Sequence, residues 1–220
     1  MRVTQRKNKG LFVTFEGGEG VGKTTLIRRL YQNLMLQGLL VCQTHEPGGT
    51  RFGQHVRDLL LHHQEICLGK RSELFLFLAD RAQHVEEEVI PHLKKNYIVL
   101  CDRFNDSTLA YQGAARALDT PLLEKFCQFA SFGLSPNLTF FLDLDPAIGI
   151  RRSREDVESG NIEDRIEKED MSFHITVRAA FLALAKKEPG RFCILDASIE
   201  REAMFKQALD TIQAKLDASC

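Results

Sequence analysis

The sequence predicts an α/β fold: a five-stranded parallel sheet flanked by helices. Two observations carry this. Five short apolar runs alternate with segments of helical periodicity along the 220 residues, and a parallel sheet covered on both faces reads as near-continuous apolar strands. The first run also ends in a glycine-rich loop that leads directly into a helix, as a ligand-binding strand–loop–helix unit does. Right-handed crossovers then bring the C-terminal ends of all the strands to one edge, where ligands of such sheets bind.

Gly10–Glu16 is a buried strand by its apolar run. Residues 23–37 form a helix with Leu26, Leu30 and Leu34 at helical spacing, ended by Gly38. Leu39–Thr44 is the second strand. Glu46-Pro47-Gly48-Gly49 is a loop, since proline and two glycines interrupt the chain. Phe52–Leu61 is a helix. Ser72–Lys95 is a long helix with Ser72 as its cap, which Pro91 should kink or end. Tyr97–Cys101 is the third strand, residues 105–112 and 119–131 are helices, and Leu138–Leu144 is the fourth strand. A helix over 146–155 leads into a polar loop at 156–166. A helix over 168–187 and the strand Arg191–Leu195 precede a last amphipathic helix over 200–216, with Phe205, Leu209, Ile212 and Leu216 on one face.

The length suits one domain spanning 1–220 with a substantial core. No internal repeat or linker divides it. The net charge of −1 gives no global basic field to attract nucleic acid. Arg2, Arg6, Lys7 and Lys9 at the start read as a solvated terminus rather than a nucleic-acid arm. No run reaches the ~18 apolar residues of a membrane span, and Leu11–Phe15 is too short for a signal segment. The six cysteines are scattered, with no C-x-x-C pair, and read as reduced thiols of a cytoplasmic protein rather than a disulfide frame or zinc site.

Gly17-Gly18-Glu19-Gly20-Val21-Gly22-Lys23-Thr24 fits G-x-x-x-x-G-K-[ST], with Thr25 following. Glycines let the backbone curl until several N–H groups face one phosphate, and the helix start adds its positive dipole end. Lys23 would reach the β/γ phosphates of ATP, and the Thr24 hydroxyl would meet Mg²⁺. The loop identifies a phosphoryl donor, not an acceptor. The N-K-x-D and D-x-x-G patterns of GTPases are absent.

Cys101-Asp102-Arg103-Phe104 follows the third strand. It places Asp102 beside the phosphate loop to hold Mg²⁺ or its waters and aims Arg103 at phosphate, although a local ion pair would read the same way. In the next helix Ser107, Thr108, Tyr111 and Gln112 fall at i, i+3 and i+4 spacings. This is a fair lining for a nucleoside and also an ordinary polar face. Arg81 falls on the apolar stripe of Leu74, Leu78 and Val85, so its charge needs a partner. A base carbonyl beneath a stacked Phe77 would serve, as would Asp80, Glu86 or water. Arg57 suits either an acceptor phosphate or Asp58. Arg151, Arg152 and Arg154 lead into the charged loop and Arg165 closes it, which suits a lid over 151–166 and equally a solvated loop.

Taken jointly, these segments resemble bacterial thymidylate kinases. The matching stretches are F-E-G-G-E-G-V-G-K-T-T at 15–25, E-P-G-G-T at 46–50, F-L-A-D-R at 77–81, D-R-F-N-D-S-T-L-A-Y-Q-G at 102–113, P-N-L-T-F-F-L-D at 136–143 and D-R-I-E at 164–167. The resemblance implies a nucleoside monophosphate kinase architecture and usually a homodimer, with the reaction ATP + dTMP giving ADP + dTDP in the presence of Mg²⁺. It implies that Phe77 stacks on thymine and that Arg81 bonds its O4. Gln112 with Thr108 or Ser107 would read the base edge, and Tyr111 would lie beneath the deoxyribose. Arg57 and Arg103 would hold the acceptor phosphate. Glu46 and Pro47 would sit on the substrate side, with Glu19 near the acceptor's sugar or phosphate. The family places a catalytic arginine either in the phosphate loop or in the lid. Positions 18–21 carry no basic residue, so Arg152 and Arg154 are the candidates. His45 stands where many relatives have arginine, and no role is assigned to it. The rivals are another deoxynucleotide or deoxynucleoside kinase, which shares the loop, and an ATP-binding sensor, which would transfer nothing.

Overall fold

The computed structural model describes residues 10–63, 65–158 and 165–218. Five strands, β1 (Leu11–Glu16), β2 (Val41–His45), β3 (Ile98–Asp102), β4 (Leu138–Asp143) and β5 (Phe192–Asp196), form one sheet in the order β2-β3-β1-β4-β5. Every pairing is parallel. β1 is central: Phe15 lies opposite Asp102 on one side and Phe140 on the other. The ends of β1 and β3 therefore meet at the middle of one edge.

The helices are α1 (Lys23–Leu36), α2 (Arg51–Leu61), α3 (Lys70–His84), α4 (Ile90–Lys94), α5 (Asn105–Thr108), α6 (Thr120–Ala130), α7 (Pro146–Glu158), α8 (Met171–Lys187) and α9 (Arg201–Asp217). Successive strand residues face opposite ways, and each sheet face gathers its own helices. On one face Leu11, Val13 and Phe15 pack with Leu26, Leu30 and Leu34 of α1 and Ala208, Ile212 and Leu216 of α9. On the other, Phe12, Val99 and Cys101 meet Val85, Val89 and Phe104, and Phe141 stacks on Phe181 of α8 with ring centroids 5.2 Å apart.

The departures from the sequence reading are local. The long helix starts at Lys70 with Gly69 as its cap, so Ser72 is not the cap. Pro91 does not end the helix. The α-helix passes through a π-helical turn, Val85–Val89, and resumes as α4 with Pro91 in its first turn. The wider turn lies where the proline ring and its missing N–H would disturb an α-helical ladder. The short helix α5 likewise continues as a π-helical turn, Leu109–Ala115, so that segment runs past 112. α8 starts at Met171 rather than 168, because the Asp170 side chain accepts from the Phe173 N–H at 2.9 Å.

Candidate active site

The phosphate loop joins the central strand to α1. Gly22 enters the helix at φ 92, a left-handed conformation open to glycine. Gly20 lies against the first turns of α7: a Cβ there would stand 2.0 Å from the Gly149 carbonyl oxygen. Two glycine backbones thus let α7 rest on the loop. Lys23 is buried, and its Nζ donates to the carbonyls of Gly17 at 3.2 Å and Gly18 at 2.7 Å. Burial, and next the Arg103 charge, push its pKa below the usual lysine value. The Thr24 hydroxyl donates to Asp102 Oδ2 at 3.1 Å. Asp102 Oδ1 is buried and meets no protein donor among the described residues.

Beside the loop lies a cavity of about 410 Å³, within the range of small-molecule sites. Its lining joins Lys23 and Thr24 to the acceptor-side residues of the sequence reading. Phe77, Arg81, Ser107, Thr108, Tyr111 and Gln112 line it, and Glu19, Glu46, Pro47, Arg57, Asp102 and Arg103 complete its polar wall. His45 and Ile166 line it as well. Burial, and next the Arg57 charge, lower the His45 pKa below its usual value.

Four carboxylates orient these side chains: Glu46, Glu16 and Glu73 are buried and Glu19 is half-buried. Glu46 receives Arg81 Nε at 2.8 Å and His84 Nδ1 at 2.7 Å, and His84 Nε2 lies 2.6 Å from the Thr44 hydroxyl. Arg81 also donates to the Thr108 hydroxyl at 2.9 Å. Its partner is therefore Glu46, not Asp80 or Glu86. Burial would raise the Glu46 carboxyl, but Arg81 and then His84 hold it below its usual range.

The second carboxylate is Glu19. It takes Arg103 Nη2 at 2.5 Å and the Tyr111 hydroxyl at 3.0 Å. Against the cost of burial, Arg103 and then Lys23 draw its pKa down to about 2. Arg103 holds a left-handed backbone, φ 70, uncommon for a residue with a side chain. The flanking bonds fix it: Arg103 N–H to the Phe15 carbonyl at 3.0 Å and Phe104 N–H to Glu16 Oε1 at 2.8 Å.

Glu16 is the third. It also accepts from the Ser107 hydroxyl at 2.5 Å, so that hydroxyl is committed to the protein. Burial, and next the charge of Asp106, push the Glu16 pKa up to about 8. The fourth is Glu73, which accepts from Gln112 Nε2 at 2.9 Å, Arg116 Nη2 at 3.2 Å and Arg165 Nη2 at 2.8 Å. Arg57 donates to the Pro47 carbonyl at 2.9 Å, and Asp58 pairs with His62 and His63 instead.

Arg152 and Arg154 do not line the cavity. Arg152 donates to the Ala197 carbonyl at 3.3 Å, and Arg154 is exposed. Of the expected lid over 151–166, residues 159–164 lie outside the described residues. Glu16, Glu73, His84 and Arg116 were not singled out in the sequence. A charged residue inside an apolar strand or stripe, as Glu16 ends Leu11–Phe15, was the available signal.

The family model described as Thymidylate kinase matches residues 15–208 of the chain. The chain is 47% identical over 212 residues to the thymidylate kinase of Protochlamydia amoebophila, covering 94% of each. It is 47% identical to that of Solidesulfovibrio magneticus, over 88% of this chain and 94% of the relative. It is 40% identical to that of Geobacillus thermodenitrificans, over 96% and 92%.

Proposed function

The chain belongs to the thymidylate kinase family, and from that premise we propose how its cavity transfers the terminal phosphate of ATP to dTMP, giving ADP and dTDP. The observation that carries the reading is the continuity of one cavity from Lys23 and Thr24 to Phe77, Arg81 and Gln112. Donor and acceptor can meet in it without crossing bulk water.

ATP lies with its phosphates on the loop, Gly17 to Thr25, where backbone N–H groups, the α1 dipole and Lys23 neutralise charge. Thymine stacks on Phe77 and presents O4 to Arg81. Gln112 reads the base edge with Thr108, and Tyr111 packs under the deoxyribose. Arg57 and Arg103 hold the acceptor phosphate, and Glu19 keeps the Arg103 guanidinium aimed. The acceptor atom is already an anionic phosphate oxygen, so in-line transfer needs positioning and charge neutralisation rather than a strong base.

Thr24 and Asp102 suit Mg²⁺. Both offer hard oxygen ligands, and the buried Asp102 Oδ1 has no protein donor among the described residues. Bound there, Mg²⁺ would supply charge neutralisation for the phosphates.

The whole chain, 1–220, acts as one domain in this reading, with 151–166 as its lid. Arg152 and Arg154 are its charge-stabilising arginines. The contact of Gly149 with the phosphate loop supports this, because it anchors α7 at the site. A homodimer is part of the proposal. Phe75, Phe129 and Phe132 are 55%, 87% and 58% exposed, and such large apolar side chains in solvent suit an association surface. A cytoplasmic location suits the free thiols of Cys42, Cys67, Cys101, Cys127 and Cys193. No helix of the described residues is long and apolar enough to cross a membrane.

The test is a single-turnover assay with ATP, Mg²⁺ and a panel of nucleosides and monophosphates. dTMP should be phosphorylated fastest. Turnover of thymidine but not dTMP would move the chain to the deoxynucleoside kinases, and ATP binding with no transfer would sink the catalytic reading.

A further inference from the structure

Glu73 does not line the cavity, yet it meets a residue that does. It lies in the first turn of α3 and is 2% exposed. Its Oε1 accepts from Gln112 Nε2 at 2.9 Å and from Arg116 Nε at 3.3 Å. Its Oε2 accepts from Arg116 Nη2 at 3.2 Å and Arg165 Nη2 at 2.8 Å. Arg116 in turn pairs with Glu169 at 2.6 Å and lies over the Phe173 ring at 4.8 Å. The carboxylate is thus clamped by guanidinium groups from two directions and cannot swing away from Gln112.

A carboxylate only accepts hydrogen bonds, whereas a glutamine amide has a donor end and an acceptor end. Facing Glu73, Gln112 can turn only its Nε2 inward. The atom left for the cavity is Oε1, which no protein donor meets among the described residues. We propose that Glu73 is a positioning residue for base selection: it fixes the Gln112 amide so that the cavity presents an acceptor, which selects a pyrimidine bearing N3–H. Thymine and uracil carry that hydrogen. Cytosine carries a lone pair at N3, which would face the Oε1 lone pairs. Glu73 thereby sets imide against amidine, while the C5 methyl is left to other walls. The proposal rests on the dTMP reading above, with the base edge at Gln112.

The experiment compares kcat/KM for dTMP, dUMP and dCMP in the wild type, Glu73→Gln, Glu73→Asp, Gln112→Leu and the Glu73→Gln/Gln112→Leu double variant. Glutamine at 73 can pair with either end of the Gln112 amide. Aspartate keeps the charge for the arginines but withdraws the oxygens by one methylene. The dTMP-to-dCMP ratio should fall about tenfold in each Glu73 variant, the worth of roughly one hydrogen bond, with the loss seen mainly in KM. The dTMP-to-dUMP ratio should not move, which a general loosening of the fold would not spare. Glu73→Gln should add nothing to the selectivity lost in Gln112→Leu. If Glu73→Gln does not fold, Glu73→Asp is read by the same ratios. An unchanged dTMP-to-dCMP ratio in the folded Glu73 variants, or additive losses in the double variant, overturns the proposal. A wild type inactive on dTMP would instead bring down the parent reading.

Discussion

The two halves of the site are built differently. The donor half is one uninterrupted stretch, Gly17 to Thr24, in which the backbone makes most of the cradle and Lys23 bonds carbonyls of its own loop. The acceptor half draws its side chains from α2, α3, β3 and the segment after it, and distant partners hold them. Arg81 is aimed by Glu46 across 35 residues, Gln112 by Glu73 across 39 and Ser107 by Glu16 across 91. Damage to the donor half should therefore act on the chemical step. Damage to the acceptor half should act on folding and recognition together, because its orienting groups are buried ionisable side chains.

The sharpest break of that contrast is Lys23→Ala, with Arg103→Ala beside it because Glu19 of the phosphate loop holds the Arg103 guanidinium. Each should lower kcat by about 10³ or more, judging from charge-stabilising arginines elsewhere. The Lys23 variant should keep its urea midpoint. Near-normal turnover in single-turnover assays would remove either residue from its assigned role.

Glu46→Ala strands two partners, Arg81 and His84, in the interior. Breaking such a buried pair should cost about 3–5 kcal/mol of stability. Urea unfolding should show this alongside a raised KM for dTMP. A variant as stable as the wild type would contradict the two-part division.

The next test is substrate choice. dTMP and dUMP differ by one methyl group, from which a pocket extracts about 1–3 kcal/mol. A preference of about 10- to 200-fold for dTMP in competition assays is therefore expected. Equal kcat/KM values would leave the thymine assignment without support.

The last test separates two carboxylates by pH. The folded pKa of Glu16 is raised to about 8, with burial the main cause. Its contribution to stability is thus fully present below its unfolded value and lost as pH rises through about 8. Between those limits wild type should lose up to about 1.4 kcal/mol per pH unit relative to Glu16→Gln. Glu46 runs the other way. Its folded pKa is held down by Arg81, so its contribution is present above the ordinary carboxylate range and lost in acid. Chemical denaturation from pH 5 to 9 checks the Glu16 slope, and a wild type parallel to Glu16→Gln would reject it.

The strands were legible to within a residue or two, because burial on both faces demands apolar runs. Helix starts were less so. Ser72 and Gly69 stand three residues apart, and α3 starts directly after the glycine. The π-helical turns at Val85–Val89 and Leu109–Ala115 left no trace in periodicity. Among the site residues, Phe77 and Gln112 could be placed by helical spacing, but the partner of Arg81 could not. Spacing along the predicted helix Ser72–Lys95 offered Asp80 and Glu86, whereas Glu46 reaches it from the loop after β2.

The sequence by itself determined the sheet, the phosphate loop and the residue types facing it, since each follows from local period, glycine freedom and the dipole of one helix. Only the tertiary structure decided which way the acceptor side chains point. Their orientation is set by carboxylates arriving from other elements, and a buried ion pair leaves no periodicity in the chain that encodes it.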